Sequence, residues 1–260
     1  MDAYLYPLLV VWAAAALVMT AVWWWQWRTS NAGFVDVAWA ALLGFSAIYY
    51  GVVGTGAVLP RTLVAVLAAL WGFRLSAHLF HRVRNEAEDG RYAYLRTHWN
   101  GNQAKFFGFF QLQALSVALF SLPFLIVSSN SEAELTLWMG LGILVWLASL
   151  SGEAIADWQL ARYRANPSNR GITCRTGLWR YSRHPNYFFE WTHWFAYALL
   201  AIGAPYAWVA LIGQGLMLLT LLFVSGIPFV EAQSLRSRGD DYRNYQRTTS
   251  MLIPWFPRKG

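Results

Sequence analysis

Tyr181-Ser182-Arg183-His184-Pro185-Asn186-Tyr187-Phe188-Phe189-Glu190 (YSRHPNYFFE) runs directly into an apolar segment and carries its glutamate inside. Ionisable groups facing lipid are costly, so a helix that opens in this way is expected to cross a membrane with a polar face turned inward. The rest of the chain supplies that membrane context. Of 260 residues, 57% are hydrophobic and 13% charged, with a mean hydropathy of +0.33, which is too apolar for one soluble core. A transmembrane helix needs roughly 20 consecutive apolar residues. That criterion predicts an all-α polytopic membrane protein with seven transmembrane helices, at about 4–25, 33–53, 58–80, 106–127, 135–156, 187–203 and 207–230, and a tail over 231–260.

Charge supports that count and orients the chain. The segments after the first, third, fifth and seventh spans hold 18 of the 20 Lys and Arg residues; the opposite side has only Arg61, and Arg74 lies within the third span. Basic loops stay cytoplasmic, so the N-terminus is expected outside and the C-terminus in the cytoplasm. The first segment has no basic residue before it and Arg28 after it, so it reads as an uncleaved span rather than a signal peptide. Trp23, Trp24, Trp25 and Trp27 at its end read as an interfacial aromatic belt. No internal repeat or low-complexity linker interrupts the chain, which reads as a single membrane domain over 1–260. One cysteine, Cys174, cannot form an internal disulfide. The tail reads as a helix from Glu231 to Arg238, a stop at Gly239, a second turn through Tyr242 and Tyr245, and breaks at Pro254 and Pro257.

Eighteen of the 20 basic residues are Arg, with only Lys105 and Lys259 as lysines. Topology alone would accept either, whereas a planar guanidinium matches phosphate oxygens two at a time, so the bias favours an anionic ligand on the cytoplasmic side. Nucleic acid is not expected, because these residues sit in loops between spans rather than on one continuous surface. Within or beside the spans lie Asp36, Arg74, His78, Glu153, Asp157, Glu190 and His193. Glu153 and Asp157 share one helix face, and Asn186, Glu190, His193 and Tyr197 form a stripe on the sixth span. One account pairs Asp36 with Arg74 and Glu190 with His193 as interhelical glue. The functional account is a polar cavity open to the cytoplasm, where carboxylates beside many Arg residues suit a ligand bearing phosphates and hydroxyls, such as a nucleotide cofactor. Five histidines, of which only His78 and His81 are close in sequence, point to no metal site. No span contains a lysine for a retinal-type Schiff base, and no glycine-rich phosphate loop follows a strand. A transporter or binding protein is a further alternative, although no pair of Gly/Pro-broken spans in two related halves points to it.

The block Gly177–Glu190 (GLWRYSRHPNYFFE), the tail Glu231–Gln246 (EAQSLRSRGDDYRNYQ) and the closing Ile253-Pro254-Trp255 resemble the bacterial branch of the steroid 5α-reductase-like family (DUF1295). The wider superfamily holds isoprenylcysteine carboxyl methyltransferases and phospholipid methyltransferases. Much of the signature is common to both branches: Arg183-His184-Pro185 with Tyr187, and Glu231, Leu235, Gly239, Tyr242 and Tyr245. The methyltransferases usually carry a small residue where this chain has Phe189, and a second Glu where it has Ala232. The reductases match instead at Asn186 and Glu190, at Glu153 and Asp157, and at Arg164. That resemblance implies an NADPH-dependent oxidoreductase of an activated C=C bond in a lipophilic substrate, steroid-like or another enone, entering from the bilayer. The alternative is a methyltransferase using S-adenosylmethionine. The steroid reductases' Gln-Glu pair is absent, and Leu79 stands where their third-helix Tyr would be. The expected catalytic residues are therefore Asp36, His78 and Glu190. The resemblance assigns cofactor contacts to Glu153, Asp157, Arg183, His184, Asn186, Glu190, Glu231 and Tyr242, with Arg164 and Arg170 toward a 2′-phosphate and Arg82 and Arg91 toward the pyrophosphate. Membrane lipids are the remaining expected partners, in what reads as a bacterial inner membrane.

Overall fold

The computed structural model describes residues 2–224 and 226–258. Ser225, inside the expected seventh span, and Lys259, counted in the basic tail, lie outside them. Among the described residues every regular element is helical: α1 (Asp2–Thr29), α2 (Phe34–Val53), α3 (Val58–Asn85), α4 (Gly90–His98), α5 (Gln103–Val127), α6 (Leu137–Ala165), α7 (Pro185–Leu200), α8 (Ala210–Leu219) and α9 (Ile227–Thr248). Six stretches are long and apolar enough to cross a membrane: Ala3–Thr29, Phe34–Val53, Val58–Asn85, Gln103–Val127, Leu137–Ala165 and Ala207–Thr248. By that measure the chain is an integral membrane protein. Helix α7, in the region expected to hold the sixth span, has 16 residues. At about 1.5 Å per residue it covers about 24 Å, short of the roughly 30 Å hydrocarbon core.

The helices group into two compact units, each assembled from separate parts of the chain. The first comprises Met1–Gly140 with Tyr197–Gly213, and α5 runs through it against α1, α2 and α3. Phe106, Phe110, Ala114, Val117, Phe120 and Phe124 of α5 are buried, a spacing of three and four that makes one continuous face. Helices α2 and α3 meet where side chains vanish. A Cβ on Gly72 would come within 2.7 Å of the Ala40 carbonyl, and one on Gly51 within 2.7 Å of the Ala65 Cβ. Small residues allow this backbone approach without a hydrophobic driving force between the helices. Arg61, the one basic residue in the expected outer loops, donates to the carbonyls of Gly51 and Val52 at 2.9 and 2.7 Å and so caps the end of α2.

Asn130 ties the loops of this unit together. It is fully buried, its Nδ2 donates to the carbonyls of Leu200 and Ile202 at 3.1 and 3.0 Å, and its backbone carbonyl accepts from Ala57 N–H at 2.8 Å. One amide thereby satisfies carbonyls at the end of α7 that have no intrahelical donor.

The second unit comprises Leu141–Ala196 and Gln214–Gly260. Helix α6 continues to Ala165, beyond the expected end of the fifth span. The predicted stop in the tail falls where expected: Gly239 leaves helical geometry with φ 52°, a left-handed value that favours glycine, and breaks α9 in two.

Replacing Asn130 by Ala strands two carbonyls, so the variant should lose about 1–3 kcal/mol of stability. Thermal unfolding in detergent checks this, and a melting temperature equal to wild type would remove the capping role.

Candidate functional site

In the second unit the signature block and the tail meet on a single carboxylate. Pro185 begins α7 at a position that needs no N–H donor, which leaves Arg183 and His184 just outside the helix. Both turn to Glu231 in the first half of α9: Arg183 Nε lies 3.0 Å from Glu231 Oε1, and His184 Nε2 lies 3.2 Å from the same oxygen. Gln246 Nε2 donates to Glu231 Oε2 at 2.7 Å, and the Tyr242 hydroxyl reaches Oε1 at 3.4 Å. The side chains of Arg183, His184 and Glu231 are only 10%, 3% and 15% exposed, so each charge depends on the others. Burial lowers the His184 pKa below its ordinary value, against the hydrogen bond and charge of Glu231, which raise it. The neutral imidazole therefore uses Nε2–H as donor to the carboxylate.

Backbone contacts hold the turn ahead of α7 in place. Tyr245 donates its hydroxyl to the carbonyls of Trp179 and Ser182. The Arg183 N–H donates to Ser250 O at 2.8 Å, Ser182 Oγ to Leu252 O at 2.8 Å, and the Trp255 N–H to Tyr181 O at 2.9 Å. The last residues thus strap the signature block.

Along α6 and α7 the acidic and amide residues form two levels. Asn186 Nδ2 donates to Asp157 Oδ1 at 3.0 Å, and deeper along both helices the Phe189 ring lies against Gly152, where a Cβ would not fit. The two contacts show that α6 and α7 run antiparallel here, since the position retreats on one helix as it advances on the other. Glu153, which is buried, and Glu190 each lie one turn deeper than Asp157 and Asn186 and share a level. On the stripe predicted for α7, His193 and Tyr197 are fully buried while Asn186 and Glu190 are half-buried. Arg164, in the last turn of α6, and Arg170, on the loop that follows, are exposed.

The first unit holds a separate charged cluster. Asp36 Oδ2 accepts from Arg91 at 2.9 Å and its Oδ1 from the Tyr92 hydroxyl at 2.6 Å. Asp89 caps α4, accepting from the Arg91 N–H at 3.0 Å and Arg91 Nε at 2.9 Å, and it pairs with Arg82 at 2.6 Å. Burial alone would raise the Asp89 pKa, but Arg91 and Arg82 outweigh it and hold the carboxyl below its ordinary value. Burial and the Asp36 charge push the Tyr92 phenol well above its usual range, so it remains a hydrogen-bond donor. His78 is exposed on α3. The residues expected at the pyrophosphate, Arg82 and Arg91, thus carry carboxylate partners of their own.

Of the residues predicted from sequence, the second unit brings together Arg183, His184, Glu231 and Tyr242, and separately Asp157 and Asn186. The first unit joins Asp36 with Arg91, and Arg91 with Arg82 through Asp89. Sequence reasoning missed Gln246, Tyr92 and Asp89, and it named Tyr245 in the tail signature without giving it a role. Asp89 precedes Gly90 at the start of α4, a capping signal that was readable. Gln246 lay inside the quoted tail but carried no charge to attract attention.

A family model described as a protein of unknown function (DUF1295) matches residues 22–249. The chain belongs to that family. DUF1295 is the steroid 5α-reductase-like family that the Gly177–Glu190 block resembles, and the match reaches into both units and covers both charged clusters. Among curated proteins and solved structures, none matches the chain.

Two outcomes test the Glu231 clasp. Glu231→Gln leaves Arg183 buried without its counter-charge and should cost about 3 kcal/mol, read as a lower melting temperature. The folded-state pKa of His184 is depressed, so the unfolded chain takes up the proton first as pH falls through about 6.5. Stability contributed by neutral His184 is therefore complete above that value and declines as pH drops toward the folded-state pKa. His184→Gln should flatten the fall in melting temperature over that interval, and an unchanged pH profile would assign the titration elsewhere.

Proposed function

We propose that the protein is an NADPH-dependent reductase that saturates an activated C=C bond in a lipophilic substrate. The observation that carries this reading is the two-level arrangement of Asp157 with Asn186 and Glu153 with Glu190 on antiparallel α6 and α7. Ribose hydroxyls and a carboxamide offer donors that carboxylates accept, so these acceptors fit a nucleotide cofactor; Arg164, in the last turn of α6, and Arg170, on the loop after it, lie exposed for its 2′-phosphate. When bound, the cofactor would supply hydride to the β-carbon of the conjugated bond. The protein's part is to hold the nucleotide through Asn186 and Glu190, to keep water from the apolar end of α7, and to deliver a proton. The Glu231 clasp seats the first turn of α7 and so sets the direction of Asn186.

We propose further that α7 makes a seventh crossing, with local thinning of the bilayer to match its 16 residues. The basic loops and the cofactor residues then face the cytoplasm of a bacterial inner membrane. Cys174 is buried, so an introduced cysteine carries the labelling signal. A cysteine at exposed Glu134 should react with an impermeant maleimide in intact cells, and one at exposed Asn244 should react only after permeabilisation. The reverse pattern would overturn the orientation.

The ligand role of α7 has its own test. Glu190→Gln and Asn186→Ala should each weaken NADPH binding by about 1–3 kcal/mol, and Glu190→Gln should leave the apo-protein nearly as stable as wild type. Calorimetry in detergent measures both. Unchanged NADPH affinity in both variants would contradict the assignment, and binding of S-adenosylmethionine in place of NADPH would turn the reading to a methyltransferase.

A further inference from the structure

A groove of about 480 Å³ opens on the outer surface of the second unit, between α6 and the turn Gly177–Arg180. Its floor is Ala148, Ser151 and Ile155, all exposed on one side of α6, and its upper wall is Leu178, Arg180 and Tyr181. The turn that forms the wall is fixed: the Leu178 N–H donates to Gln159 Oε1 at 2.9 Å, and Gly177 sits at φ 59°, where its hydrogen lies against the Gln159 side chain and a Cβ could not. The groove is therefore a formed feature of the fold.

The two ends differ in chemistry. Positions 148, 151, 155, 158 and 162 recur at steps of three and four, so the floor continues along the same helix face to Trp158 and Arg162. Trp158 is 58% exposed, and the Arg162 guanidinium lies over its ring at 5.4 Å. The strap adds aromatic surface at this end. Phe256 packs edge-on against Tyr181, and Trp255 and Phe256 are 70% and 75% exposed. Neither Arg162 nor Arg180 has a carboxylate within ion-pair distance among the described residues, although most of the arginines near the two clusters do. One end is thus small and apolar, and the other carries exposed aromatics and two uncompensated guanidinium groups.

We infer that this groove binds one anionic phospholipid, with an acyl chain along Ala148, Ser151 and Ile155 and the headgroup phosphate at Arg180 and Arg162. The lengths agree. Ten residues of α6 separate Ala148 from Trp158, about 15 Å of helix, which equals half of the roughly 30 Å hydrocarbon core. Trp158, Tyr181 and Trp255 then fall at the depth where aromatic side chains prefer the interface. Both lipids offer a phosphodiester to a guanidinium fork, but the quaternary ammonium of choline neutralises that phosphate and repels the arginines, which selects phosphatidylglycerol over phosphatidylcholine. The inference is independent of the reductase reading, because none of these residues belongs to the proposed cofactor set.

The test takes the full-length protein in detergent, adds palmitoyl-oleoyl phosphatidylglycerol, the matching phosphatidylcholine or free glycerol phosphate, and counts bound molecules by native mass spectrometry. One phosphatidylglycerol should be retained in about tenfold preference to phosphatidylcholine, and glycerol phosphate should neither bind nor compete. Arg162→Gln combined with Arg180→Gln should abolish the preference, and Ser151→Trp, which fills the floor, should reduce retention of both lipids. All three side chains face outward, so melting temperatures should match wild type; if the Ser151 variant fails to fold, the arginine pair decides. Equal retention of the two lipids by wild type, a preference that survives loss of both arginines, or competition by glycerol phosphate would overturn the inference.

Discussion

Glu231 is the charge on which the second unit depends. Its two oxygens face Arg183, His184, Tyr242 and Gln246, four groups from the entrance of α7 and from the half of α9 beyond Gly239. A buried carboxylate of this kind is tolerated only while its partners stay, and removing one partner leaves the others uncompensated. These contacts seat the entrance of α7 against α9 without any bound ligand.

With the clasp in place, the remaining contacts of the block are mostly backbone. Tyr245 and Ser182 satisfy the turn ahead of α7, and the chain after α9 returns to Tyr181 and Arg183. The consequence reaches Asn186, the residue after the helix's first proline, whose amide meets Asp157 on α6. Positioning of the acid and amide levels is in this sense a result of tail packing, and the functional reading rests on the same geometry.

The helical class, the membrane setting and most of the spans were legible because apolar runs and basic loops report directly on solvent. What hydropathy cannot see is where a helix ends once it leaves the apolar phase. Helices α3 and α6 continue through Asn85 and Ala165 with basic last turns, and α4 is too short and polar to show a period within its loop. Gly239 was legible because its left-handed backbone demands a particular residue. The partners of Asp36 and Glu231 were not. Tyr92 is 56 positions from Asp36, and Gln246 is 15 from Glu231 and separated from it by the Gly239 break. Sequence spacing carries information about neighbours on one helix and none about residues joined through tertiary packing.

The most direct test of the account is the identity of the cofactor that stays with the protein through gentle purification in lipid-containing detergent, read by mass spectrometry of the denatured supernatant. The carboxylates and amide of α6 and α7, with Arg164 at the end of α6 and Arg170 on the loop after it, predict a nicotinamide adenine dinucleotide phosphate at close to one per chain. Recovery of S-adenosylmethionine or its demethylated product instead would contradict the reductase reading.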